Sequence, residues 1–203
     1  MNKINILITG GGSPGIMGTI YSLRNNYDQR DIKIICTDIK SDCIGKYVAD
    51  KFYQIARASN AKQYLNDIIS ISKTEKVDII LPQNTAELAT LSKNQSRLLD
   101  AGTKVIISSY DNLIRANSKH KLLEVCEKLE IPHPDYYLIK DKNDLIAKAE
   151  KLGWPDNPVL IKHPNLNGSR GIRILDENMD YKDLFYNQKP TSMYTKLDDF
   201  LKI

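Results

Sequence analysis

The chain has 203 residues, 41% of them apolar, enough for an ordinary core, and no apolar run approaches the length of a transmembrane helix. Its net charge of +4 comes from 29 basic and 25 acidic residues spread along the sequence, so no basic block or aromatic-interleaved patch points to nucleic acid. Cys36, Cys43 and Cys126 show no CxxC spacing and read as reduced thiols rather than zinc ligands, and a strand-like run straight after Met1-Asn2-Lys3 is no signal peptide, so a cytoplasmic location is expected.

In chain order, residues 4–8 form an apolar strand that runs into Gly10-Gly11-Gly12-Ser13-Pro14-Gly15, where Ser13 can cap a helix and Pro14 can take its first position. Further apolar strands are predicted at residues 32–36, 77–81 and 104–107. Between them, residues 60–74 place Tyr64, Leu65, Ile68, Ile69 and Ile71 at helical spacing, and residues 85–99 do the same with Leu88, Leu91 and Leu98. Strands alternating with helices predict an α/β fold, a parallel sheet covered on both faces. Ligands of such sheets bind at the carboxyl ends of the strands. Glu87, just beyond the third of these strands, is therefore a candidate substrate contact; its other reading is an acid complementing the dipole of a helix's first turn.

Gly10, Gly12 and Gly15 also satisfy GxGxxG, and Asp38 stands where a ribose-binding acid belongs. An NAD-binding dehydrogenase domain is therefore a rival reading, resting on a motif with many false positives.

Downstream, Ser118 is placed to cap a helix whose apolar face is Leu122, Val125, Cys126 and Leu129, and Ile131-Pro132-His133-Pro134 ends it. Lys119 then lies in the first turn, against the helix dipole unless an anion binds nearby. Residues 158–175, PVLIKHPNLNGSRGIRIL, read as strand, polar loop, strand. Lys162 and Arg170 supply charge, and Gly168 and Gly171 allow backbone N–H groups to approach phosphate oxygens closely, although a solvated hairpin loop gives the same pattern. The segment is not a Walker loop. His120, His133 and His163 are too scattered for a metal site and are expected at the surface.

Residues 118–134, SKHKLLEVCEKLEIPHP, followed by PVLIKHPNLNGSRGIRI, resemble the amino-terminal half of an ATP-grasp domain, in particular that of the carbamoyl-phosphate-synthase-like ligases. Residues 45–53, GKYVADKFY, resemble the Rossmann-like domain that precedes ATP-grasp in that group. The sequence departs from the family pattern at Ser118, where an acid or amide is usual, and at His163, inserted between lysine and proline. The resemblance implies a Rossmann-like pre-ATP-grasp domain over residues 1–112, then a partial α+β ATP-grasp subdomain over 113–203. It implies ATP phosphate contacts at Lys119, Lys162, Asn167, Gly168, Ser169, Arg170 and Gly171. Gly12 and Glu87 would face the acceptor substrate, a small carboxylate.

The implied reaction is ATP-dependent carboxylate–amine ligation through an acyl phosphate, with Mg2+ held by residues that the family places further along. The adenine hinge and metal carboxylates have no counterpart in the remaining sequence, where residues 181–187 and 197–203 read as short helices. The chain alone is therefore expected not to turn over. Its expected role is as part of a larger or split enzyme, completed by a carboxy-terminal domain or a second chain, or as a non-catalytic nucleotide-binding fragment with apolar surface exposed in its last segment; a homo-oligomer also fits.

Overall fold

Leu7 faces one way from the first strand and Ile6 and Ile8 the other, and all three are buried, so this strand lies inside a sheet covered on both faces. The computed structural model describes residues 3–166, 170–180, 182, 185–186 and 193–202. The chain divides into two units, Met1–Ile114 and Arg115–Ile203.

The first unit holds strands β1 (Ile4–Thr9), β2 (Ile32–Asp38), β3 (Lys51–Gln54), β4 (Ile79–Leu81) and β5 (Lys104–Val105), all parallel, in the order β3-β2-β1-β4-β5. The helices between them are α1 (Ile16–Arg24), α2 (Ile44–Val48), α3 (Ala61–Glu75), α4 (Thr85–Lys93) and α5 (Gln95–Asp100). One core lies under α3, with Leu7, Ile35, Tyr64, Ile68, Ile80 and Leu98. The opposite face buries Ile6, Ile8 and Ile34 against Ile16 and Ile20 of α1. The α/β reading is thus correct, with β1 central.

The periodicity of α3 is realised fully. Tyr64, Leu65, Ile68, Ile71, Ser72 and Glu75 are buried, the Asn60 side chain accepts the Gln63 N–H at 3.3 Å, and Lys76 ends the helix at φ 51°. Other local expectations need correcting. Ser13 and Pro14 do not start α1: Ser13 N–H closes a turn on the Gly10 carbonyl at 2.9 Å, and Gly15 is the N-cap. Residues 85–99 are two helices, because Asn94 leaves helical geometry (φ −114°, ψ 22°) and its side-chain amide donates to the Thr90 carbonyl at 2.8 Å. β4 and β5 are shorter than their apolar runs. β3, sequence KFYQ, is an edge strand whose polar ends hide its pattern.

A helix, α6 (Tyr110–Asn117), crosses the division between the units. The second unit has α7 (Lys119–Lys128), α8 (Lys142–Lys151), β6 (Val159–Lys162), β7 (Ile172–Leu175), β8 (Tyr194–Thr195) and α9 (Leu197–Phe200). β6 and β7 are antiparallel, pairing Val159 with Leu175 and Lys162 with Ile172, as the hairpin reading requires. β8 adds in parallel to β7. Their shared core is Leu145, Ala149, Val159, Leu175 and Leu197, reinforced by Trp154, Ile161 and Phe200. Asp141 caps α8, accepting the Asp144 N–H at 2.9 Å.

α7 begins at Lys119 as expected, but none of its residues is buried, and Leu122 and Leu129 are 45% and 63% exposed. The apolar spacing makes a helix whose face is only partly covered, with Val125 and Cys126 half-buried. Leu160, Leu166, Phe185 and Tyr186 are exposed as well. The helix predicted at 181–187 falls largely outside the described residues, and the one predicted at 197–203 is a single turn.

Candidate functional site

Two places gather the residues singled out in the sequence, one in each unit. In the first unit they lie at the carboxyl edge of the sheet. β1 ends in Thr9, and Gly10 turns the chain at φ 68°, a conformation glycine adopts without penalty. Gly11 then crosses so close to α2 that a Cβ on Gly45 would lie 2.9 Å from the Gly11 Cα and 2.6 Å from the Cys36 sulfur. Gly45 N–H donates to the Gly11 carbonyl at 3.0 Å. Burial, with Cys43 nearby, pushes the Cys36 thiol up to about 12, so it behaves as a small apolar side chain.

Gly12 donates its N–H to the Asp38 carboxylate at 2.8 Å, and the other Asp38 oxygen accepts the Lys40 N–H at 2.8 Å. Both oxygens of the residue at the ribose-binding position therefore hold the protein's own backbone. An acid of this chain occupies an N–H that a dinucleotide site would turn towards its ligand.

Glu87 sits in the first turn of α4, behind the Asn84 cap, but the fold buries it to 5% exposure. The Thr9 hydroxyl donates to it at 2.5 Å. Burial, with a contribution from the Asp38 charge, pushes the Glu87 carboxyl up to about 7, against the opposing pull of the Thr9 hydrogen bond. Glu87 thus stands in a helix's first turn, as its dipole reading has it, but there it is buried.

The second unit holds a cavity of about 400 Å³. Its apolar walls include Leu123, Ile139, Leu145, Val159 and Ile161, while Lys119, Lys148, Lys162 and Asp135 bring charge to it. α7 supplies Lys119 from its first turn and β6 supplies Lys162 from its last position. The Lys148 charge is matched by Asp144 at 2.7 Å. Lys119 donates to the Leu166 carbonyl at 2.5 Å, a neutral acceptor, and makes no ion pair among the described residues; its backbone N–H holds the Pro164 carbonyl at 3.0 Å. The Lys162 ammonium makes no hydrogen bond or ion pair among the described residues. Two ammonium groups without an ion-pair partner among the described residues, on a cavity with largely apolar walls, favour an anionic ligand with an apolar part.

The structure thus brings Lys119 and Lys162 to one cavity. Arg170 and Gly171 are exposed in the turn before β7 and are not among its lining residues. Gly171 has φ 66°, and a Cβ there would stand 2.8 Å from the His163 Cβ, so glycine is required. Asn167, Gly168 and Ser169 lie outside the described residues. His120 lines the cavity beside Lys119, which the scattered placement of the histidines in the sequence did not reveal. Ser118 takes the N-cap backbone position without a side-chain cap; its hydroxyl lies 3.1 Å from the His120 Nδ1 instead. Among the described residues no group of three or more His, Cys, Asp or Glu side chains could hold a metal ion, and no helix is long and apolar enough to cross a membrane.

Residues 6–106 match the family of PylC-like N-terminal domains. The chain is 25% identical over 119 residues to the carbamoyl phosphate synthase large chain of Methanothermobacter thermautotrophicus, covering 59% of this chain and 11% of that one. The corresponding protein of Methanosphaerula palustris is 26% identical over 120 residues and is likewise covered over 11% of its length. Among solved structures, N5-carboxyaminoimidazole synthetase from Staphylococcus aureus, complexed with ADP, superposes with a TM-score of 0.63 at 21% identity, over 91% of this chain and 44% of that one. The biotin carboxylase domain of 2-oxoglutarate carboxylase from Hydrogenobacter thermophilus gives 0.60 at 22% identity, over 84% of this chain and 37% of that one. The chain spans about a tenth of the length of these curated relatives and under half of these solved structures. The match of residues 6–106 to PylC-like N-terminal domains, the similarity to the carbamoyl phosphate synthase large chains and the shared fold together make this chain similar to the amino-terminal region of ATP-grasp proteins.

Proposed function

We propose that this chain provides the phosphate-binding half of an ATP site in a carboxylate–amine ligase. The observation that carries the reading is the convergence of Lys119 and Lys162, distant in sequence, on one cavity where neither makes an ion pair among the described residues. In this reading the triphosphate lies along the two ammonium groups, Asn167, Gly168, Ser169, Arg170 and Gly171 are its further proposed contacts, and the apolar walls take the base. The lysines stabilise charge on the phosphoryl group as it passes from ATP to a small carboxylate, giving an acyl phosphate and ADP; an amine then attacks the acyl carbon and phosphate leaves. Gly12 and Glu87 are the proposed acceptor-side contacts in the first unit. Among the described residues no group of three or more His, Cys, Asp or Glu side chains could hold a metal ion, and carboxylates that the family places further along are the proposed Mg2+ ligands. The chain is accordingly proposed to bind nucleotide weakly and not to hydrolyse it unaided.

The test is an NMR titration of the full chain with ATP to millimolar concentration, with and without Mg2+. Saturable shifts in signals from α7 and β6 that Lys162→Ala weakens roughly tenfold, as loss of one charged hydrogen bond would, support the proposal. Equal shifts in the variant, or saturable NAD binding that Asp38→Ala abolishes, would refute it. The dinucleotide alternative gains nothing from the first unit, where Asp38 is bonded to the loop it would need to leave free.

A further inference from the structure

His120 stands beside Lys119 on the wall of the second unit's cavity, and its ring is held from behind. Ser118 is 5% exposed, so its hydroxyl proton needs an acceptor. Ser118 makes no capping bond with α7, and the only side-chain partner of its hydroxyl among the described residues is the His120 Nδ1, at 3.1 Å. If Nδ1 carried the proton, the serine hydroxyl would accept it and leave its own hydrogen buried and unpaired. With Nδ1 as acceptor both the buried hydroxyl and Nδ1 are satisfied. A neutral His120 therefore carries its hydrogen on Nε2, the far side of the ring from Ser118. The backbone assists this, because the Ser118 carbonyl accepts the Leu122 N–H at 2.9 Å and so fixes the serine to the turn that carries His120.

We infer that His120 is a third phosphate-binding residue of the cavity, donating its Nε2–H to a phosphate oxygen of the nucleotide, and that Ser118 is the positioning residue that sets its tautomer. The inference rests on the ATP reading above and adds a directional donor to the two ammonium groups. Lysines attract phosphate as point charges, whereas a fixed N–H selects one oxygen position.

The test uses the full chain and three probes, ATP, ADP and adenosine, titrated by NMR, together with long-range proton–nitrogen correlation of the imidazole at pH 8. The wild type is expected to show the Nε2-protonated tautomer, and Ser118→Ala to show a mixture. His120→Ala is expected to weaken ATP and ADP about tenfold and to leave adenosine within twofold, with most of the loss restored in His120→Gln, whose amide can donate from nearly the same place. Unchanged melting temperatures separate this from a folding defect. An Nδ1-protonated ring in the wild type overturns the inference whatever the affinities. ATP binding that His120→Ala leaves unchanged while Lys162→Ala weakens it overturns the His120 role alone. A wild-type chain that binds none of the three probes overturns both readings.

Discussion

The Asp38 carboxylate accepts the Gly12 N–H at 2.8 Å, closing the loop after β1 on an acid of the protein itself. Asp38→Ala should leave this N–H and that of Lys40 without their acceptor. The expected loss is about 1–3 kcal/mol, seen as a lower urea midpoint with an unchanged slope. A midpoint equal to the wild type's would show that water replaces the carboxylate without cost.

Glu75 is 4% exposed and accepts from Lys33 at 2.7 Å, from Lys51 at 2.8 Å and from the Tyr53 hydroxyl. These hydrogen bonds, Lys33's first, hold its carboxyl at about 2, below its usual 4.5. The folded value is the lower one, so the stabilisation is present above the unfolded value and is lost as pH falls from 4.5 towards 2. It amounts to at most about 3 kcal/mol, less the screening at the half-exposed Lys51. Glu75→Gln should be less stable at neutral pH and lose the part of the acid limb that Glu75 contributes. Urea titrations at pH 7 and pH 3 check this, and a variant that keeps the full slope speaks against it.

Glu87 has the opposite sign. Its folded value, about 7, lies above the ordinary 4.5, so the folded chain holds a proton that the unfolded chain has released. Stability is therefore undiminished at low pH and falls as pH rises from 4.5 to about 7. Glu87→Gln keeps an acceptor for the Thr9 hydroxyl and should gain on the wild type by up to about 3 kcal/mol at pH 8, with little difference at pH 4.5. A variant less stable than the wild type at pH 8 would count against the buried, proton-linked carboxyl.

Two glycines should respond in opposite directions. Gly45→Ala puts a Cβ 2.9 Å from the Gly11 Cα and 3.0 Å from its carbonyl oxygen, both backbone atoms, and should cost about 1–3 kcal/mol. Gly18 lies in α1 with nothing within 4 Å of the added Cβ, so Gly18→Ala should stabilise by about 0.5–1 kcal/mol. Thermal melts of both variants decide it, and equal shifts would remove the packing argument.

Local chemistry was enough for much of the architecture. The apolar runs at β1 and β2 and the helical spacing of α3 dictate covered parallel strands, because backbone pairing and burial on both faces leave few other solutions. The hairpin of β6 and β7 and the positions of Lys119 and Lys162 at element ends were likewise legible, since each depends on a few neighbouring residues. Edge strand β3 was not, because half-exposed edges carry no apolar run, and the break at Asn94 turned on one side chain competing for a helix carbonyl. The properties of Asp38, Glu75, Glu87 and His120 came only with the tertiary structure. Protonation and availability depend on burial and on partners such as Gly12, Lys33 and Thr9, which lie 26, 42 and 78 positions from Asp38, Glu75 and Glu87 along the chain. The Ser118 hydroxyl that orients His120 is a near neighbour, but helix-capping rules assign it elsewhere, and only the folded turn shows that it faces the ring.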